Sequence, residues 1–347
     1  MQLAEKRLNE LWARGKDFLG ARYAILGGAM TWVSERNLIS AISNAGGFGV
    51  IASGAMAPPL LRTEIQETQA LTKEPFGVNL ITIHPQLMDL IDVCVEENMT
   101  HVVLAGGLPP AQAITKLKDK GLKVICFAPA LVIAKKLMKL GVDALVIEGM
   151  EAGGHIGPVS TSVLAQEILP HVREIPVFVA GGIGRGEAIV SYLEMGAAGC
   201  QLGTRFVCTT ECIAHPDFKK AFMRAQARDA IISPQLDPRF PVIPVRALSN
   251  QATKDFMIYQ KELIKKVDRQ EIDPKEAQLQ IEHFWAGALR RAVIDGDTDR
   301  GSLMAGQSVG MVTKEQSTRE VIEELLTQAK VYLQTREDVK PGSIGLC

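Results

Sequence analysis

A (β/α)8 TIM barrel, followed by a smaller and mainly helical second domain, is the fold this sequence predicts, and three observations predict it. Eight short apolar runs recur roughly 20 to 30 residues apart over the first two thirds of the chain, the length of a strand plus a returning helix. Helix-like segments lie between them, and several end in a glycine. The 347 residues, 47% hydrophobic, are enough for one large core. An open doubly wound sheet is the competitor, but it usually needs fewer strands and a glycine fingerprint near the N-terminus.

The strands follow in order. Residues 23–26 (Tyr-Ala-Ile-Leu) run into Gly27-Gly28, and 49–52 (Gly-Val-Ile-Ala) follow the break at Gly46-Gly47. Residues 76–80 carry Asn79 near their end, 101–104 (His-Val-Val-Leu) run into Ala-Gly-Gly, and 123–127 (Lys-Val-Ile-Cys-Phe) form the fifth. The sixth, 144–147 (Ala-Leu-Val-Ile), runs into Glu148; the seventh, 176–180, into Gly181-Gly182; and the eighth, 199–202, into Gly203. Continuous apolar runs of this kind suit strands buried on both faces. Helices are expected at 38–44, 110–120, 134–140 and 187–195, with Gly121, Gly141 and Gly196 suited to their C-termini.

After the eighth strand the pattern changes. Residues 1–214 are assigned to the barrel and 215–310 to a charged, mainly helical domain able to overhang its mouth, with a proline-rich crossing at 233–244. Residues 311–335 hold a final apolar-periodic helix, 318–333, that returns to the barrel wall, and 336–347 read as a disordered tail.

Composition removes several classes of function. A net charge of −1 without basic clusters gives no footprint for nucleic acid or an anionic membrane. No apolar stretch reaches membrane-spanning length, and the N-terminus is amphipathic rather than a signal sequence. The six cysteines form no Cys-x-x-Cys pair, which suits reduced thiols and a cytoplasmic protein. The histidines show no metal-ligand spacing.

In a barrel of this type the chemistry gathers at the C-terminal strand ends. Gly181-Gly182-Ile183-Gly184 and Gly203-Thr204-Arg205 follow adjacent strands, and small residues there let backbone N–H groups approach a phosphate. The bland reading is that these glycines only permit tight turns. Gly28, Ala29 and Met30 follow strand one, Asn79 ends strand three and Gln201 lies in strand eight. An amide such as Asn79 can bond the edge of a flavin ring, and Met30 can pack on its face. Taken singly, these residues fit a satisfied core amide and a gap-filling methionine equally well. His155, between Gly153-Gly154 and Gly157, can be a general acid, a general base or a cap. Glu148 and Glu151 are poorly placed for a glycosidase-style pair; either can orient His155 or hold a cation.

These motifs together resemble the FMN-dependent TIM-barrel enzymes that include nitronate monooxygenase (2-nitropropane dioxygenase) and the flavin-dependent enoyl-acyl-carrier-protein reductase II. The resemblance spans residues 23–325. It is carried by Asn44-Ala-Gly-Gly47, Pro75-Phe-Gly-Val-Asn79, residues 148–157, Ala180-Gly-Gly-Ile183, Gln201-Leu-Gly-Thr-Arg-Phe206 and Met304-Ala-Gly-Gln307. It implies a catalytic His155 and an FMN site drawn from Gly28, Ala29, Met30, Asn79, Glu148, Gly154, Ala180, Gly181, Gly182, Gln201, Gly203, Thr204, Met304, Gly306 and Gln307, with no metal. It further implies NADH or NADPH as reductant if the reaction is enoyl reduction, and oxygen if it is nitronate oxidation. The substrate would be a small molecule or an acyl thioester, the latter with acyl carrier protein as a partner, and a homodimer is compatible. Local sequence, including Val245-Arg-Ala-Leu-Ser-Asn-Gln251, favours the reductase. Two places depart from its pattern: Gly27-Gly28-Ala29-Met30-Thr31-Trp32 replaces the expected Gln-Gly-Gly-Met-Ala-Trp, and Leu104-Ala-Gly-Gly-Leu-Pro-Pro110 lacks a threonine-rich segment.

Overall fold

The computed structural model describes residues 2–239 and 244–338. Two helices, α1 (Gln2–Leu11) and α2 (Ala13–Leu19), lead into β1 (Ile25–Gly27). There follow α3 (Arg36–Asn44), β2 (Gly49–Ala52), α4 (Pro58–Leu71), β3 (Phe76–Ile81), α5 (Leu87–Glu96), β4 (His101–Ala105), α6 (Ala111–Asp119), β5 (Lys123–Phe127), α7 (Leu131–Lys139) and β6 (Ala144–Glu148). A two-residue strand outside the barrel, β7 (Gly154–His155), precedes α8 (Thr161–Ile168), β8 (Val177–Ala180), α9 (Gly186–Glu194), β9 (Gly199–Leu202) and the short α10 (Thr204–Val207).

The eight barrel strands pair in parallel in the order β1-β9-β8-β6-β5-β4-β3-β2, and a bridge between Leu26 and Phe48 joins the two ends. Starting at position 48 and following registered partners once round the barrel, extended along the strands, leads back to position 56 of the same chain segment. That stagger of eight residues on eight strands is the closure condition of a TIM barrel. β1 lies two residues later than the sequence suggests, because Tyr23 is held outside the ladder: its N–H donates to Gly46 O and its ring packs against Trp12.

Register also settles which side chains face inward, since registered partners share a face and alternate residues swap it. At the lower end the rings of Phe18, Phe48, His101 and Phe178 meet, with Phe18 and His101 centroids 5.2 Å apart and Phe48 and His101 4.9 Å apart. α1 and α2 plug this end: Ala4, Leu8, Trp12 and Leu19 are buried, and a Cβ on Gly15 would lie 2.0 Å from Ala198 O. Counting upward by two from Phe178 and its partners Val146 and Gly199 reaches Ala180, Glu148 and Gln201.

Beyond the barrel come α11 (Pro216–Arg224), β10 (Ala230–Ile232), β11 (Val245–Leu248), α12 (Gln251–Asp268) and α13 (Pro274–Val293). Asn250 and Asp273 cap the last two helices, their side chains accepting from Thr253 N and Glu276 N. The region therefore holds strands as well as helices. β10, β11 and β7 form an antiparallel sheet, so the His155 loop is paired with this second region. Phe256, Leu263, Ala277, Ile281, Trp285 and Val245 make a core separate from that of the barrel. Helix α14 (Thr318–Asp338) lies against α9, where a Cβ on Gly186 would sit 2.1 Å from Leu325 O. Part of the proline-rich crossing, 240–243, and residues 339–347 of the expected tail lie outside the described residues; 336–338 belong to α14.

Candidate active site

Glu148 and Ala180 end β6 and β8, Gln201 is the next-to-last residue of the adjacent β9, and all three face the interior at the C-terminal mouth. Asn79 faces inward from β3, registered with Ala52 and Val103. It is buried, and its Nδ2 donates weakly to Val103 O at 3.3 Å. The buried Gln201 amide takes no hydrogen bond among the described residues. Its Nε2 lies beside Gly28, 3.4 Å from where a Cβ there would stand. Both amides thus retain donor or acceptor capacity at the mouth, which a buried amide ordinarily spends on a partner.

The loop after β1 is fastened in place. Gly28 N donates to Leu202 O at 2.8 Å, and the Ser34 hydroxyl donates to Gly28 O at 2.8 Å while accepting from Met30 N at 2.9 Å. This brings Met30 over Gly203, its Sδ 3.3 Å from a Cβ placed there, with Ala29 half-buried between. Trp32 occupies the left-handed region at φ 68°, which is costly for so bulky a residue. Its indole nitrogen is buried without a partner among the described residues, and the Arg290 guanidinium of α13 lies 5.8 Å from its ring centroid.

Gly181 and Gly182 have φ of 97° and 72°, and Cβ atoms on them would come within 2.9 Å of Gly149 O and of Glu151 Cβ. Glycine is required at both. Among the described residues the N–H groups of Gly182, Ile183, Gly203 and Thr204 donate to no protein acceptor. Donors left over at two neighbouring strand ends form a ready anion cradle. The Thr204 hydroxyl accepts from Gly306 N at 3.0 Å, and Gln307 N donates to Glu151 O at 2.9 Å. Met304 reaches Gly154, with Sδ 3.6 Å from a Cβ there. The segment from Met304 to Gln307 is thereby seated on the mouth.

The two acids of the sixth loop have separate fates. Glu151 accepts from the N–H and the hydroxyl of Thr161, both at 2.9 Å, and so caps α8. The Glu148 carboxyl makes no hydrogen bond among the described residues, and burial pushes it up to about 8. His155 is exposed on β7, registered with Val245 of β11, and the next residue's N–H donates to Pro244 O at 2.9 Å. Arg246, buried, donates from Nε to Met150 O at 2.9 Å and from Nη1 to Ala230 O, tying the loop to β10.

The structure thus brings Gly28, Met30, Gln201 and Gly203 together on one side, and Glu151, Gly154, Thr204, Met304, Gly306 and Gln307 on another. Asn79 stands on β3, registered with Ala52, whose N–H donates to Ser34 O of the loop after β1. Ser34 went unnamed in the sequence reasoning, while Trp32 and Arg246 stood inside quoted motifs without a role of their own. The serine and the tryptophan lay in plain view of Met30, but their roles depend on a backbone turn. Arg246 sits in a quoted motif whose spacing hides its partner 96 residues away. No group of histidine, cysteine, aspartate or glutamate among the described residues could hold a metal ion.

Comparison with known proteins fits this arrangement. The sequence profile described as nitronate monooxygenase matches residues 13–328. FabK from Thermotoga maritima is similar in structure, with a TM-score of 0.84 and 36% identity over 94% of this chain and 98% of its own. A Mycobacterium tuberculosis protein named (3aS,4S,5R,7aS)-5-hydroxy-7a-methyl-1-oxo-octahydro-1H-indene-4-carboxyl-CoA dehydrogenase is 28% identical, covering 92% of this chain and 96% of the relative. A probable nitronate monooxygenase of Staphylococcus saprophyticus is 27% identical, covering 92% and 98%.

Proposed function

Because this chain belongs to the nitronate monooxygenase family and is an oxidoreductase, we propose that it binds FMN and uses NADH or NADPH to reduce the double bond of an enoyl thioester. The observation that carries the flavin is the set of unpaired N–H groups of Gly182, Ile183, Gly203 and Thr204 at adjacent strand ends. The flavin phosphate would lie there. Met30, Ala29 and Gly28 would face the ring, Asn79 and Gln201 would offer amides to its edge, and Ala180, Gly154, Met304, Gly306 and Gln307 would complete the wall. The chemistry FMN would supply when bound is hydride transfer between nicotinamide and the substrate's β-carbon. His155 would hold the proton delivered to the α-carbon, so that one hydride and one proton saturate the bond.

The thioester rests on the relative named for a carboxyl-CoA substrate and on the reductase-like local motifs. Nitronate oxidation with oxygen is the second reading, favoured by the family's name.

Two variants test the site. Gly182→Glu places a charge and a Cβ where Glu151 already stands, so the purified protein should lose its flavin absorbance; unchanged FMN affinity would remove the phosphate assignment. His155→Ala should keep the flavin and its reduction by nicotinamide while turnover of crotonyl thioester falls roughly 100-fold or more. Full activity in that variant would rule out the proton role. Anaerobic reduction by NADH or NADPH followed by crotonyl thioester, run beside nitronate plus oxygen, decides the reaction. Turnover of nitronate without nicotinamide would replace the first reading by the second.

A further inference from the structure

We propose that Glu148 is a hydrogen-bond donor of this site, its carboxyl meeting an acceptor oxygen of the bound substrate. On the function proposed above, on which this rests, that oxygen is the thioester carbonyl. Register aims Glu148 into the barrel in the same row as Ala180 and Gln201. It opens the loop that ends at His155, so both residues serve the same mouth. Among the described residues nothing bonds its carboxyl. Most partly buried carboxylates find a cation or a set of N–H donors, as Glu151 does at Thr161 three residues later.

The surroundings keep the proton on. β8 presents Ala180 directly beside Glu148, β9 presents Gln201 one strand further on, and on β5 Phe127 stands beside Val146, one inward row below; none is charged. The charged groups of the neighbouring loop and of β11 are engaged elsewhere: Glu151 with Thr161, and Arg246 with Met150 O and Ala230 O. His155, the remaining titratable group of the loop, sits exposed on β7. Burial pushes the acid up to about 8, which favours its protonated form at pH 7. A protonated carboxyl has one O–H to give. As hydride reaches the β-carbon of an enoyl thioester, negative charge gathers on the carbonyl oxygen, and a donor fixed there stabilises that charge without reorganising.

Infrared difference spectroscopy on the flavin-loaded protein gives a readout separate from turnover. A protonated carboxyl C=O band should be present at pH 7, vanish as pH rises above about 8, be missing in Glu148→Gln, and shift when butyryl-CoA is added. Kinetics complete the test. Wild-type kcat/KM for crotonyl thioester should fall as pH rises through about 8, whereas Glu148→Gln, which keeps an N–H donor, should lose that alkaline limb. Glu148→Ala should lower kcat about 100-fold with the rate of flavin reduction by nicotinamide unchanged.

Absence of the band at pH 7, a band that moves with neither butyryl-CoA nor a nitroalkane, or an alkaline limb that persists in Glu148→Gln would overturn the proposal. Loss of FMN affinity in Glu148→Ala with the substrate half-reaction intact would make Glu148 a cofactor contact instead. A band that moves with the nitroalkane alone would keep the donor and refute the thioester reading.

Discussion

His101 shows how much a single buried ring can say. It lies at the plugged end of the barrel, 3% exposed, with Nε2 3.0 Å from Phe18 O and Nδ1 2.9 Å from the Thr100 hydroxyl. A carbonyl only accepts, so Nε2 carries the proton and Nδ1 accepts from Thr100; the ring is neutral with a fixed tautomer. Burial pulls its titration down to about 4 from 6.5, ahead of the opposing bond to Phe18 O. The folded state thus binds fewer protons than the unfolded one in between. Stability is fully present above pH 6.5 and is lost as pH falls toward about 4, by roughly 3 kcal/mol. His101→Gln, which can still donate to Phe18 O, should flatten the acid limb of stability against pH in urea unfolding. An acid limb as steep as wild type would show that other groups govern it. Trp32 makes the complementary point: its left-handed backbone and unpartnered indole nitrogen sit at the mouth, where such a cost is tolerated if a ligand group answers it.

At the scale of elements, the second region is built more loosely into the molecule than the barrel. α12 and α13 close over a core of their own, stacked around Phe256, Phe284 and Trp285, with Phe256 and Trp285 centroids 4.3 Å apart. Their links to the barrel are the two registered pairs of β7 and β11, Arg290 over Trp32, and the end of α13, where Leu289, Ala292 and Val293 join the barrel core. Small cooperative units of this kind open below the global unfolding free energy. Hydrogen exchange should therefore find the amides of α12, and those of α13 before Leu289, exchanging well before those of β4 and β5, and adding FMN should slow the residues of β7. Equal protection across these elements would mean that the two cores unfold as one. Elements of this region were hard to read in advance for a physical reason. A two-residue strand such as β7 has no periodicity, and only its distant partner makes it a strand.

Across the whole molecule, what was legible in the sequence was what is locally encoded. β2, β5 and β9 begin and end where apolar runs meet glycine or a helix, and the barrel's closure followed from counting such runs. β1 slipped because Tyr23 reads as strand yet packs against Trp12. At the site, Gly181 and Gly182 were legible because glycine there answers a backbone need. Glu151 was not, because its role as a cap depends on Thr161 arriving from the next helix. The bond from Gly306 N to the Thr204 hydroxyl spans 102 residues. All eight barrel strands have left the ribosome long before Gly306 is made. A nascent chain therefore holds every strand of the barrel before the wall from Met304 to Gln307 exists, and the mouth is completed only after the barrel that carries it.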